Sequence, residues 1–169
     1  MITVKEYFAG RDKLYPKDYT EEIQLNAQQL VDRVNVLLKE MARMGLVPET
    51  NPLTGSCVDS GWRPPELNAR VPGAAPRSKH MTGQAVDLYD PEGVLDDWCM
   101  QYLPPMSHKW GLWMEHPSAT KGWCHLQCVP PRSGNPVFYP RIPGGYSQRS
   151  WRWSGRMQQE TGAVPTTLK

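Results

Sequence analysis

Ser78-Lys79-His80-Met81-Thr82-Gly83-Gln84-Ala85-Val86-Asp87-Leu88 is the stretch from which the rest of the chain is most readily understood. It sets a histidine and an aspartate seven residues apart, with a glycine turn between them. Gly83 to Leu88 reads as a strand, and side chains along a strand alternate between two faces. Gly83, Ala85 and Asp87 then share one face, while Gln84, Val86 and Leu88 share the other. Small residues at 83 and 85 are expected to leave a cavity beside the Asp87 carboxylate. A turn leading into this strand lets His80 converge on that carboxylate.

A third ligand candidate lies downstream in Trp123-Cys124-His125-Leu126-Gln127-Cys128. If this segment is also a strand, Trp123, His125 and Gln127 face one side, and Cys124, Leu126 and Cys128 face the other. A metal on His125 would therefore have the two neighbouring thiols pointing away from it. Two histidines and one carboxylate form a normal catalytic zinc set, with the fourth position open to water. Cys57, Cys99, Cys124 and Cys128 lack paired CxxC spacing, which argues against a zinc ribbon. In a chain that shows no export signal they read as reduced thiols.

Outside these segments the clearest element is a long amphipathic helix from about Glu21 to Met44. Ile23, Ala27, Leu30, Val34, Leu37, Met41 and Met44 recur at three- and four-residue steps and predict one core-facing stripe. Asp18 with Glu21 resembles a capping box, Thr20 is the alternative N-cap, and Gly45 fits the position after the last turn. Ser56 to Trp62 alternates loosely as a strand, and Pro64-Pro65 can open a short helix through Arg70. Asp90-Pro91 is expected to start a second helix with Val94, Leu95, Trp98 and Tyr102 toward the core. Pro104-Pro105 is expected to end it. Strands at Leu112 to Glu115 and Trp123 to Cys128 complete a small α+β domain, with helices first and a mostly antiparallel sheet after them.

The whole chain bounds these readings. Its 169 residues suit one domain with one core, and 17 Pro with 14 Gly imply long loops. A formal charge of +2 forces neither a nucleic-acid nor an anionic-membrane partner. No apolar run is long enough for a membrane span, and the charged N-terminus MITVKEYFAGRDK does not read as a signal peptide. Residues 1–130 are expected to form the catalytic domain. Residues 131–169 form a basic arm rich in Pro, Gly and Trp, either packed on that domain or trailing from it.

Ser-x-His-x-x-Gly-x-Ala-x-Asp-Leu followed downstream by Trp-x-His resembles the zinc D-alanyl-D-alanine peptidases, whose fold is shared by the hedgehog signalling domain. Ser60-Gly61-Trp62-Arg63-Pro64-Pro65 is similar to a further segment of that family. Together the three motifs span roughly Cys57 to Cys128. The resemblance implies a hedgehog/DD-peptidase-like α+β fold, with Zn2+ held by His80, Asp87 and His125. It also implies a polarising Arg63 and an acid–base residue shortly before the last histidine. Glu115 suits that role if the two late strands pair, because it would then lie beside His125. The interval of ten residues from Glu115 to His125 leaves His116 as the alternative. The implied substrate is a peptidoglycan stem peptide, cut by a carboxypeptidase, dipeptidase or endopeptidase. With no signal peptide visible, the expectation is a phage or prophage lysin. It would be made in the host cytoplasm and reach the wall by release or virion delivery. Two other readings compete: a non-catalytic zinc-binding virion module, and a wall- or nucleic-acid-binding tail using Trp151 and Trp153.

Overall fold

In the computed structural model, which describes residues 1–140, the chain opens with two short helices that hydrophobic periodicity does not announce. These are α1 (Val4–Phe8) and α2 (Arg11–Leu14). The first has a local cause. The Thr3 hydroxyl accepts from the Glu6 amide, and the Glu6 carboxylate accepts from the Thr3 amide. Tyr7 and Phe8 are buried, so this segment belongs to the core.

The long helix α3 (Glu21–Arg43) follows, with Thr20 rather than Asp18 as its cap, its hydroxyl accepting from the Ile23 amide. Ala27, Leu30, Val34, Leu37 and Met41 of the expected stripe are buried, joined by Val31 and Leu38. Ile23 is only partly buried, packed against that core, and Met44 lies at the helix end and is 52% exposed. Each fully buried large apolar side chain contributes about 1.5–3 kcal/mol. This face therefore outweighs intrinsic helix propensity in holding α3 together.

β1 (Val58–Ser60) and α4 (Pro65–Arg70) come next, α4 beginning at the Pro65 that the sequence marks. β2 runs Ala85–Asp90, so it starts later and ends later than expected. Gly83 precedes the strand, in a turn with φ +74°. A Cβ there would stand 2.8 Å from the Ile23 carbonyl oxygen. Its smallness thus serves contact with the start of α3, and it does not carve a cavity beside Asp87.

α5 (Val94–Trp110) corrects the sequence reading more strongly, because it runs straight through Pro104-Pro105. Two prolines remove two helical N–H donors and normally cost about 3 kcal/mol or more. The missing N–H groups would have served the carbonyls of Met100 and Gln101, residues on the exposed side of the helix. Continuing the helix also buries Leu103, Ser107 and Trp110. Val94 is 43% exposed, against expectation, whereas Leu95 and Trp98 are buried and Tyr102 packs on the core. Asp90 organises the start of α5, its carboxylate accepting from the Leu95 and Asp96 amides at 3.0 and 2.8 Å.

β3 (Trp113–Glu115), a 3-10 turn (Pro117–Ala119), β4 (Gly122–Gln127) and β5 (Val137–Phe138) complete the order. The sheet order is β1-β2-β4-β3-β5. Its first three pairings are antiparallel and the β3–β5 pairing is parallel, which makes the sheet open and mixed. Val58, Val86, Leu88, Cys124, Leu126 and Met114 join α3 and α5 in one apolar cluster. The other face carries Asp87, His125 and Glu115. Val137–Phe138 belongs to the expected arm but pairs within the sheet; residues 141–169, including Trp151 and Trp153, lie outside the described residues. Among the described residues the cysteines are free, and no helix is long and apolar enough to cross a membrane.

Candidate metal centre

Strand pairing places two of the three ligand candidates side by side. Asp87 on β2 and His125 on β4 are register partners, and both side chains are buried on the face opposite the apolar cluster. Cys124 and Leu126 point the other way, as alternation requires. His80 arrives from the turn before β2. His125 Nδ1 lies 2.7 Å from Asp87 Oδ1, His80 Nε2 lies 3.2 Å from the same oxygen, and the two ring nitrogens are 3.4 Å apart.

These three could hold a metal ion. Ligand atoms at about 2.0–2.2 Å from a tetrahedral ion stand roughly 3.3–3.5 Å from one another. The two His80 distances match that spacing. The third is a hydrogen-bond distance, so an ion would displace the proton shared by His125 and Asp87 and separate them slightly. Among the described residues no fourth His, Cys, Asp or Glu joins the group, so one tetrahedral position is left open.

His80 is the ligand candidate with the least regular backbone, and it is the most heavily braced. Its Nδ1 donates to the Gly61 carbonyl at 2.8 Å, which leaves Nε2 with a lone pair toward the cluster. The Arg63 amide donates to the His80 carbonyl, and Trp62 Nε1 donates to the Met81 carbonyl. The Ser60-to-Arg63 segment therefore acts through its backbone and its buried indole as much as through Arg63. Trp62 is itself held edge-on against Phe8 and tilted against Tyr19. Gly61 fits only because it lacks a side chain: a Cβ would fall 1.9 Å from the Tyr7 carbonyl oxygen. The Tyr7 hydroxyl in turn donates to the Ala85 carbonyl at the start of β2. This brace from α1 escaped the sequence reading, although the Thr3–Glu6 spacing carried a signal for the helix.

The electrostatics favour ligation at Asp87 and His80 and oppose it at His125. Burial opposes the charge on Asp87, yet the flanking imidazoles, by charge and hydrogen bond, hold its carboxyl far below the usual range. Burial pushes His80 down, toward the neutral form that binds a metal. His125 is pushed up: burial opposes this, but the Asp87 hydrogen bond and charge prevail, and Glu115 adds to them.

The remaining site residues are placed as follows. Trp113 pairs with Gln127 and Met114 with Leu126, where the β3–β4 pairing ends, and one further step along that register would set Glu115 opposite His125. Glu115 is half-buried, and burial raises its carboxyl pKa, with His125 opposing and Asp87 adding to the rise. Arg63 is half-buried beside the His80 turn, its Nη2 donating to Ser78 Oγ at 3.4 Å, and its buried Nε has no partner among the described residues. The Nδ1 of His116 accepts from the Ser118 amide at the 3-10 turn, and its ring stacks on Tyr139 at 4.4 Å. Gln127, on the same face of β4 as His125, donates to the Val129 carbonyl. No family model matches the chain, and neither a curated protein nor a solved structure shows significant similarity to it.

Proposed function

We propose that the chain is a zinc-dependent peptidase of hedgehog/DD-peptidase type that cleaves stem peptides of the bacterial cell wall. The observation that carries this reading is the buried His80–Asp87–His125 triangle, with spacing near that of a tetrahedral ion and, among the described residues, no fourth protein ligand. The order of the Ser60-to-Arg63, Ser78-to-Leu88 and Trp123-to-His125 motifs narrows metal chemistry to that peptidase class.

Zinc bound there would polarise the scissile carbonyl and acidify a water, worth several kcal/mol at the transition state. The chain's own residues divide the other tasks. Glu115 takes the proton from the attacking water and returns it to the departing amine, a contribution of roughly a hundred- to ten-thousand-fold. Its burial raises its proton affinity, which suits a base that must pick up a proton and release it. Arg63, with an unpartnered buried Nε, is available to clamp a substrate carboxylate or to stabilise the developing oxyanion. His80, Asp87 and His125 stay fixed, held by the Gly61 carbonyl and by strand register.

The test is twofold. Elemental analysis of the purified protein should find about one zinc per chain. Mass spectrometry of purified peptidoglycan fragments after incubation should find one class of stem-peptide bond cut. A protein that holds zinc and cuts no wall peptide is a binding module instead.

A further inference from the structure

Ala9 is the one non-glycine residue with positive φ among the described residues, at +50°, and Gly10 follows it at +76°. A residue with a Cβ avoids this left-handed region, so such a turn persists only where its surroundings require it. Ala9 closes α1, its amide donating to the Lys5 carbonyl, but that cap does not account for the second bend or for α2. Burial does not account for them either, since none of the four residues of α2 is buried. What the turn delivers is Arg11, whose Nη1 donates to the Trp62 carbonyl at 2.7 Å. The Arg11 side chain is half-buried, with no carboxylate within ion-pair distance among the described residues. Burial works against its charge, and the neighbouring Arg63 guanidinium adds to that opposition. A cation in this setting needs a strong acceptor, and the Trp62 carbonyl supplies it.

The Trp62 carbonyl belongs to the same planar, trans peptide unit as the Arg63 amide. That amide donates to the His80 carbonyl at 3.2 Å. Oxygen and hydrogen point to opposite sides of a trans unit, so Arg11 grips it from one side and His80 from the other. The preceding peptide unit presents the Gly61 carbonyl to His80 Nδ1 at 2.8 Å. Two consecutive peptide planes, hinged at the Trp62 Cα, therefore hold His80 by its backbone and by its ring. Hydrogen bonds in series polarise one another, so a charged donor on the Trp62 carbonyl also strengthens the Arg63 bond to His80.

We propose that Arg11 is a positioning residue for the candidate metal centre: it fixes the Trp62–Arg63 peptide plane and, through it, the orientation of His80. The proposal rests on the metal reading of His80, Asp87 and His125, and it does not depend on which bond is cut. Arg11 lies ahead of every motif that carries the family resemblance, so that resemblance assigns it no role.

The experiment measures the zinc affinity of the full chain by chelator competition, for wild type, Arg11→Met and Arg11→Lys. Removing an outer partner of a metal histidine weakens binding by about 10- to 100-fold. Arg11 acts one peptide plane further out, so Arg11→Met should weaken binding by about tenfold, the lower end of that range. Arg11→Lys keeps a cationic donor and should recover part of the loss. A merely structural role would lower the melting temperature of the zinc-free protein and leave zinc affinity at the wild-type value; that result overturns the proposal. If Arg11→Met does not fold, Arg11→Gln, neutral and shorter, is measured in its place and read in the same way. Wild-type protein that holds no zinc in elemental analysis overturns the proposal together with the metal reading. Wild-type protein that holds zinc yet cuts no wall peptide removes the peptidase reading alone, and the affinity ratio still decides the role of Arg11.

Discussion

Replacing Gly61 with alanine tests whether α1 holds the candidate metal site together. The new Cβ would stand 1.9 Å from the Tyr7 carbonyl oxygen, 2.7 Å from its carbon and 2.9 Å from Tyr7 Cδ2. Ordinary contact requires roughly 3.5 Å or more, so the two backbones must part by about 1.5 Å. Neither is free to do so. Tyr7 is fully buried and donates its hydroxyl to the Ala85 carbonyl, while the Gly61 carbonyl accepts from His80 Nδ1 at 2.8 Å. A shift of that size carries the His80 bond beyond hydrogen-bonding range. Overpacking costs about 1–3 kcal/mol. Loss of an outer hydrogen bond to a metal histidine lowers metal affinity by about 10- to 100-fold. Thermal melting of metal-free protein reads the first effect, and chelator-competition titration with zinc reads the second. In a chain of this size the melting temperature should fall by roughly 2–4 °C per kcal/mol. A variant that melts and binds zinc as wild type does would show that α1 does not press on Gly61 and that the brace is wrong.

His80→Ala and Asp87→Ala should each lose most of the bound zinc in elemental analysis, and full occupancy in both would refute this ligand set. Glu115→Gln should keep the fold and the zinc but lose about two to four orders of magnitude in turnover. His116→Ala is the paired variant, and a large loss there with little at Glu115 would move the proton-transfer role by one residue. A pH effect on stability is expected at Asp96, which burial, aided by the Asp90 and Asp97 charges, pushes up to about 6 from an ordinary 3.8. The folded state holds that proton more tightly than the unfolded chain does. This contribution is therefore full below about pH 4 and is lost as pH rises through about 6. Asp96→Asn should flatten denaturant-measured stability over that window, and an unchanged slope would remove Asp96 as the cause.

Local pattern accounts for much of what is visible before folding. The stripe on α3, the Thr20 cap, the start of α4 at Pro65 and the alternation along β4 all arise from neighbours within one turn or one strand repeat. The same alternation, applied to β4, correctly turned Cys124 and Leu126 away from His125. The candidacy of His80, Asp87 and His125 was legible from residue type and motif resemblance, whereas their convergence into a group that could hold a metal ion depends on the β2–β4 pairing.

Tertiary contacts decided the rest. Pro104-Pro105 stop an isolated helix, and α5 continues because Leu103 and Trp110 have a core to enter. Gly83 looked like room for a ligand until α3 was seen to occupy that room. The carbonyl that orients His80 comes from a residue 19 positions away, and the hydroxyl linking α1 to β2 spans 78. The parallel return of β5 brings Phe138 to Glu115 and His125. Periodicity reports which face of an element is apolar, since that depends on burial alone. It carries no information about which carbonyl or ring meets that element from elsewhere in the chain. That is settled only when strand register and helix packing place distant backbones within a few ångströms of one another.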